Sequence, residues 1–170
     1  IEILGDTLQK IAFEKAGVLK KNVNCISAHQ EKSAADVLID EANKKGAPLT
    51  FINGSGHCRY SPNLPGMHQQ ENAHLSVSTL SLIQNYNISE DYISKGLRSV
   101  KWFGRNQIIQ NNPMVIFDVA HNTEGMKSFL NYYNNLNIKG DSVLVIALQN
   151  RKRLDLVIPI FLSKFKFIIC

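Results

Sequence analysis

The run Val115-Ile116-Phe117-Asp118-Val119-Ala120-His121-Asn122-Thr123-Glu124-Gly125 constrains the fold more than any other part of the chain. Met114 to Phe117 is apolar, rich in β-favouring residues and entered from Pro113, which predicts a short buried strand. Met126, Phe129, Leu130 and Tyr133 then recur at helical spacing, so a helix is expected to begin near Thr123 with Asn122 as its N-cap. Asp118 and His121 therefore fall where a strand ends and a helix begins. In an open α/β sheet that edge binds ligands, and helix N-termini favour anions. A polar strand-to-helix corner with no ligand has the same local pattern.

The preceding chain alternates in the way such a sheet requires. Leu4-Gly5-Asp6 leads into a helix that Asp6 is expected to cap, with Gln9 as a capping-box partner. Leu8, Ile11, Ala12 and Lys15 share one face of it, and Gly17 offers a stop. A lysine on an apolar stripe either snorkels from its edge or is turned toward a site. Val23 to Ala28 reads as a strand, Glu31 to Lys45 as a helix ended by Gly46, and Pro48 to Ile52 as a strand. This helix-strand alternation implies a parallel sheet. Asn53 to Gly66 is loop, and its His57-Cys58 pair has no second pair at metal-ligand spacing. Gln69 to Tyr86 is helical, with Ala73, Val77 and Leu80 inward and Asn72 in the first turn, and a shorter helix runs from Ser89 to near Leu97. The segment from Trp102 to Pro113 has the composition of a hinge, with Arg105 within it, and an arginine at a hinge can clamp a ligand. Beyond the opening stretch, Ser142 to Leu148 and Phe165 to Cys170 read as strands around a helix at Leu154 to Ser163, completing a βαβαβ half of a doubly wound sheet. Neither G-x-G-x-x-G nor G-x-x-x-x-G-K-[ST] occurs.

Composition excludes several classes. No apolar run approaches the roughly 20 residues of a membrane span. The net charge of +5 is spread along the chain, which fits an anionic small molecule better than nucleic acid. Three distant cysteines, Cys25, Cys58 and Cys170, argue against a disulfide framework and point to a reducing cytoplasm. We expect a monomer that takes small-molecule substrates and has no membrane or nucleic-acid partner. The first residue is Ile1, a few positions before a helix, and the last is Cys170, on a strand-like run. Both suggest a section of a longer polypeptide.

Four segments in order resemble the folylpolyglutamate synthase/dihydrofolate synthase family of the Mur ligase superfamily. Leu4-Gly5-Asp6-Thr7 with Ile11-Ala12-Phe13-Glu14-Lys15-Ala16-Gly17 is like LG-x-T-x-x-x-IA-x-EKAG. Leu64-Pro65-Gly66-Met67-His68-Gln69-Gln70-Glu71-Asn72-Ala73 is like L-x-G-x-HQ-x-x-NA. Ile88-Ser89, Gly96-Leu97 and Trp102-Phe103-Gly104-Arg105-Asn106-Gln107 are like IS…GL…W-x-GR-x-Q, and Asp118-Val119-Ala120-His121-Asn122 is like D-[GV]-AHN.

The resemblance implies an α/β fold: the end of a P-loop-type Mur ligase central domain followed by part of a Rossmann-like C-terminal domain. The expected domains are residues 1–103, from the ATPase domain, and 104–170, from the C-terminal domain. The implied activity is ATP-dependent amide formation, joining glutamate to a carboxylate of folate or dihydropteroate through an acyl phosphate. By the same resemblance Lys15 would be carbamylated and face Mg²⁺. Asn72, Arg105 and Asp118 would contact ATP, at adenine, across the nucleotide and at the ribose respectively, and His121 would lie near the reacting phosphate. The family's phosphate loop and remaining metal ligands have no counterpart here, so these residues alone are expected to be inactive. Gln149 to Arg153 replaces a more acidic run. A Mur-type ligase of peptidoglycan synthesis would share the core chemistry, and a non-catalytic α/β binding module would share only the fold.

Overall fold

The computed structural model describes residues 5–52, 58–83, 86–148 and 158–170. Among them the order is α1 (Leu8–Lys15), a 3-10 turn (Ala16–Val18), β1 (Cys25–Ser27), α2 (Lys32–Lys45), β2 (Leu49–Phe51), α3 (Met67–Leu80), α4 (Glu90–Ser99), β3 (Gln107–Asn111), β4 (Met114–Phe117), α5 (Thr123–Asn135), β5 (Val143–Val145), α6 (Ile158–Leu162) and β6 (Phe167–Ile169). These fall into two compact units: the described residues of Ile1–Ser61 with Gln70–Arg98, and those of Pro62–Gln69 with Ser99–Cys170. His57, the run 149–153 and the start of the helix expected at 154–163 lie outside the described residues.

In the first unit β1 and β2 pair in parallel, Cys25 opposite Leu49 and Ser27 opposite Phe51, with α2 as the crossover. The expected parallel alternation is therefore present. The core around them is built from small side chains: Ala16, Leu19, Ala42 and Ala47 are buried, with Cys25, Leu38 and Leu49 packed on them. Alanines let α1 approach α2 closely, and the Lys45 ammonium donates at 2.7 Å to the Ala16 carbonyl, which also accepts from Leu19 N at 3.1 Å. Gly46, at φ 63°, closes α2, and the Ala47 N–H returns to the Ala42 carbonyl at 2.9 Å. The start of α1 differs from expectation. Thr7, not Asp6, is the N-cap, its Oγ1 accepting from Lys10 N at 3.2 Å. Asp6 instead pairs with the Lys10 ammonium at 2.8 Å. Both residues cap helices well, and the register of the first turn decides between them.

The second unit has its core where α5 meets α6 and the β5–β6 pair. Met126, Leu130, Phe161 and Phe165 are buried, with Phe129, Tyr133, Leu144 and Ile168 packed against them. The Tyr133 and Phe165 rings lie 4.9 Å apart between centroids, and the Tyr133 hydroxyl donates to Ser142 Oγ at 2.6 Å. β5 and β6 run parallel, as the spacing predicts. β4 departs from the predicted sheet. It pairs antiparallel with β3, a strand that the hinge-like composition concealed, and not with β5. The Asn112-Pro113 turn brings β3 and β4 together over the shortest connection, so the local hairpin forms at little loop-closure cost. Nor is β4 buried: Met114, Val115 and Phe117 are each more than 40% exposed. An apolar run reports β propensity and does not by itself report which faces are covered.

Candidate functional site

The corner at Asp118 is assembled from three separated stretches of the second unit. β4 delivers the chain to Asp118, and α5 begins at Thr123 as predicted, with Asn122 Oδ1 accepting from Gly125 N at 2.8 Å. Between strand and helix the Asp118 carboxylate turns back on the main chain. Its Oδ1 accepts from Ala120 N at 2.7 Å and its Oδ2 from Asn106 N at 2.8 Å. Each oxygen thus spends one lone pair on an amide and keeps the other for a further donor. An ionised carboxylate that accepts two main-chain N–H groups is held in one orientation before any ligand arrives.

The second stretch is the turn before β3. Gly104 sits at φ 71°, where a Cβ would lie 2.5 Å from Val119 Cγ1, so only glycine fits without displacing its neighbour. Its carbonyl accepts from Val119 N at 3.0 Å, and its own N–H donates to Gln107 Oε1 at 3.0 Å. Asn106 follows in the left-handed region at φ 47° and is 2% exposed. The third stretch is the turn into α3. The Asn106 side-chain amide donates to the Pro65 carbonyl at 3.1 Å, and His68 Nδ1 lies 2.6 Å from Ser128 Oγ on α5. The Gln69 side-chain nitrogen lies 2.9 Å from His68 Nε2. That nitrogen can only donate, so in the neutral ring Nε2 accepts and Nδ1 donates to Ser128.

Among the residues singled out from sequence, Asp118, His121 and Arg105 all belong to this unit. His121 is exposed, with Nδ1 3.1 Å from the Val119 carbonyl, and Arg105 is half-buried between Gly104 and Asn106. Lys15 and Asn72 belong to the first unit, where both are exposed. The stripe expected to carry Lys15 into an apolar face is incomplete: Ala12 is buried and Ile11 half-buried, but Leu8 is 46% exposed. Lys15, the last residue of α1, is exposed although Ala12 before it and Ala16 after it are buried, so it lies off the packed face and reaches solvent. No group of three or more His, Cys, Asp or Glu among the described residues could hold a metal ion. Asn106, His68 and Ser128 were missed as members of the corner. Asn106 carried one signal, an asparagine after Gly-Arg, the residue type that after glycine best tolerates left-handed backbone. Ser128 carried none.

No protein-family model matches the chain. It is similar to a dihydrofolate synthase/folylpolyglutamate synthase of Bacillus subtilis, 29% identical over 152 residues that cover 75% of this chain and 35% of the relative. It is similar to a folylpolyglutamate synthase of Arabidopsis thaliana, 32% identical over 170 residues that cover 84% of this chain and 29% of the relative. The chain thus spans about a third of the length of these curated relatives. Among solved structures, a Mycobacterium tuberculosis folylpolyglutamate synthase complexed with ADP and AMPPCP superposes at TM-score 0.85 over 99% of this chain and 44% of that one. At 20% identity that likeness establishes a shared α/β fold and nothing finer.

Proposed function

Because this chain is a relative of the folylpolyglutamate and dihydrofolate synthases over most of its length, we propose that it forms one section of an ATP-dependent ligase that joins glutamate to a carboxylate of folate or dihydropteroate. The observation that carries this reading is the Asp118 carboxylate, fixed by two main-chain amides at a strand-to-helix corner with acceptor capacity to spare. Vicinal hydroxyls of a ribose are the donors that such a group recognises. In this reading residues 1–103 close the ATPase domain and 104–170 open the C-terminal domain; the compact units change over near that boundary, at Arg98 and Ser99, while Pro62–Gln69 falls with the second unit. Among the described residues no helix is long and apolar enough to cross a membrane.

The chemistry follows from the substrates. A carboxylate resists attack by an amine until one oxygen becomes part of a leaving group. The pteridine substrate's carboxylate takes the γ-phosphoryl group of ATP, and ADP departs. The amine of glutamate adds to the acyl phosphate, phosphate leaves with its bonding pair, and the nitrogen gives up a proton to complete the amide. Most of the acceleration in such phosphoryl transfer comes from positioning and charge neutralisation. Asp118 would accept from the ribose, Arg105 would lie across the nucleotide, Asn72 would meet adenine, and His121, exposed at the entry to α5, would stand near the transferred phosphate. Mg²⁺, when bound, would offset the phosphate charge. The described residues do not form a magnesium site by themselves. Lys15 would add one arm to it: its neutral amine attacks CO₂, loses a proton and becomes a carbamate whose single negative charge is shared by two oxygens. These residues without a phosphate loop should show no turnover of their own.

The test is Asp118→Ala in the complete enzyme. A hydrogen bond to a charged group is worth roughly 1.5–3 kcal/mol, so ATP affinity should fall about 10- to 150-fold while folate affinity changes far less. An unchanged ATP dissociation constant would remove Asp118 from the nucleotide site.

A further inference from the structure

We propose that Asn106 is a positioning residue that sets the orientation of the Asp118 carboxylate and thereby the enzyme's recognition of ribose hydroxyls; this rests on the reading of Asp118 given above. Asp118 is held from two sides, and the two sides are not equivalent. The Ala120 N–H that binds Oδ1 is two residues away on the same loop, and it would travel with Asp118 if that loop turned. The Asn106 N–H that binds Oδ2 comes from twelve residues earlier, across the turn into β3. That second contact therefore ties the carboxylate to the rest of the unit. It exists only because Asn106 adopts φ 47°, a conformation that L-residues avoid and asparagine tolerates best.

The side chain of Asn106 holds the peptide in that conformation. Its Nδ2 donates to the Pro65 carbonyl at 3.1 Å, and the residue is 2% exposed. Its Oδ1 is buried with no hydrogen-bond partner among the described residues. Exchanging the two ends of the amide would set an oxygen against the Pro65 carbonyl, so the observed orientation is the better one. A buried amide with one end unsatisfied costs stability, and an asparagine chosen only to make a left-handed turn gains nothing from being buried there. A glycine would make the same turn. The amide is explained by its grip on the turn at Pro65, which fixes the Asn106 N–H and with it the carboxylate. The remaining lone pair on each Asp118 oxygen then faces a ligand in a constant direction, as a pair of vicinal hydroxyls requires.

The experiment compares dissociation constants for ATP and for 2′,3′-dideoxyATP in the complete enzyme, its Asp118→Ala variant, and the variants Asn106→Gly and Asn106→Asp. Glycine keeps the backbone conformation and the N–H. Aspartate keeps the shape and the turn preference. Both lose the donor to Pro65. We expect ATP to bind several-fold more weakly to both Asn106 variants while dideoxyATP binds as it does to the unaltered enzyme. A role in stability alone would weaken both nucleotides together, or would show as loss of folding by circular dichroism in both variants, and either result overturns the inference. So does full retention of the preference for ATP in the Asn106 variants when Asp118→Ala abolishes it, an outcome that leaves the reading of Asp118 intact. Equal affinity of the unaltered enzyme for ATP and dideoxyATP would refute the ribose reading itself and the inference with it.

Discussion

Replacing Gly104 by alanine should loosen the whole Asp118 corner, and its cost can be worked out from the structure. Alanine at φ 71° carries a left-handed penalty of about 1–2 kcal/mol. The new methyl would also lie 2.5 Å from Val119 Cγ1 and 3.2 Å from Phe117 Cε1, so something must move. Val119 is 40% exposed and has room to yield, which puts the packing term near the low end of the usual overpacking range, about 1 kcal/mol. The sum is about 2–3 kcal/mol. For a chain of this size that corresponds to a fall of about 5–10 °C in the melting midpoint. Thermal unfolding followed by circular dichroism reads it, with Gly17→Ala as the control. Gly17 has an ordinary φ and nothing within 4 Å of an added Cβ, so that change should stay within about 1 kcal/mol in either direction. If Gly104→Ala melted no lower than Gly17→Ala, the turn before β3 would not be the rigid frame described above.

Two further expectations are simpler. Lys15→Arg keeps the positive charge but cannot form a carbamate, so in the complete enzyme it should fail as badly as Lys15→Ala, and acetate or formate should partly restore the alanine variant; near-normal turnover of the arginine variant would reduce Lys15 to a solvated helix end. The Lys10 ammonium, through its hydrogen bond, holds the Asp6 carboxyl below its ordinary value of 3.8. The folded-state pKa is the lower one, so the pair's help to α1 is complete above 3.8 and fades as the pH falls through the depressed value. A carbon-detected titration should find the Asp6 midpoint below that of Lys10→Met, and equal midpoints would refute the pairing.

The sequence was most legible where a single residue type decides the local geometry. Gly46 ended α2 and Asn122 capped α5 because few other residues do either task, and Met126 with Leu130 announced the buried face of α5 through their spacing alone. The corner bearing Asp118 and His121 followed from those two signals. What stayed hidden depends on partners distant in the chain. The Ile108-Ile109 pair between glutamines gave no strand signal strong enough to outweigh the hinge-like composition around it, so β3 was missed and β4 was assigned the wrong neighbour. The face of α1 that carries Lys15 could be drawn on a helical wheel, but whether anything packs on it is a tertiary fact. The grip of Asn106 on both Asp118 and Pro65 spans twelve residues in one direction and 41 in the other, and no local pattern encodes it.

The central claim is that the complete enzyme activates a carboxylate by phosphorylation before an amine attacks it, and isotope transfer tests this most directly. Folate or dihydropteroate labelled with ¹⁸O in the reacting carboxylate is turned over with ATP and glutamate, and the released phosphate is analysed by mass spectrometry. Phosphoryl transfer to the carboxylate leaves one labelled oxygen bridging carbon and phosphorus, and that oxygen departs with phosphorus when the amide forms. The account predicts one ¹⁸O in the inorganic phosphate for each amide made, with ADP as the nucleotide product. Unlabelled phosphate, or label recovered in AMP, would contradict it.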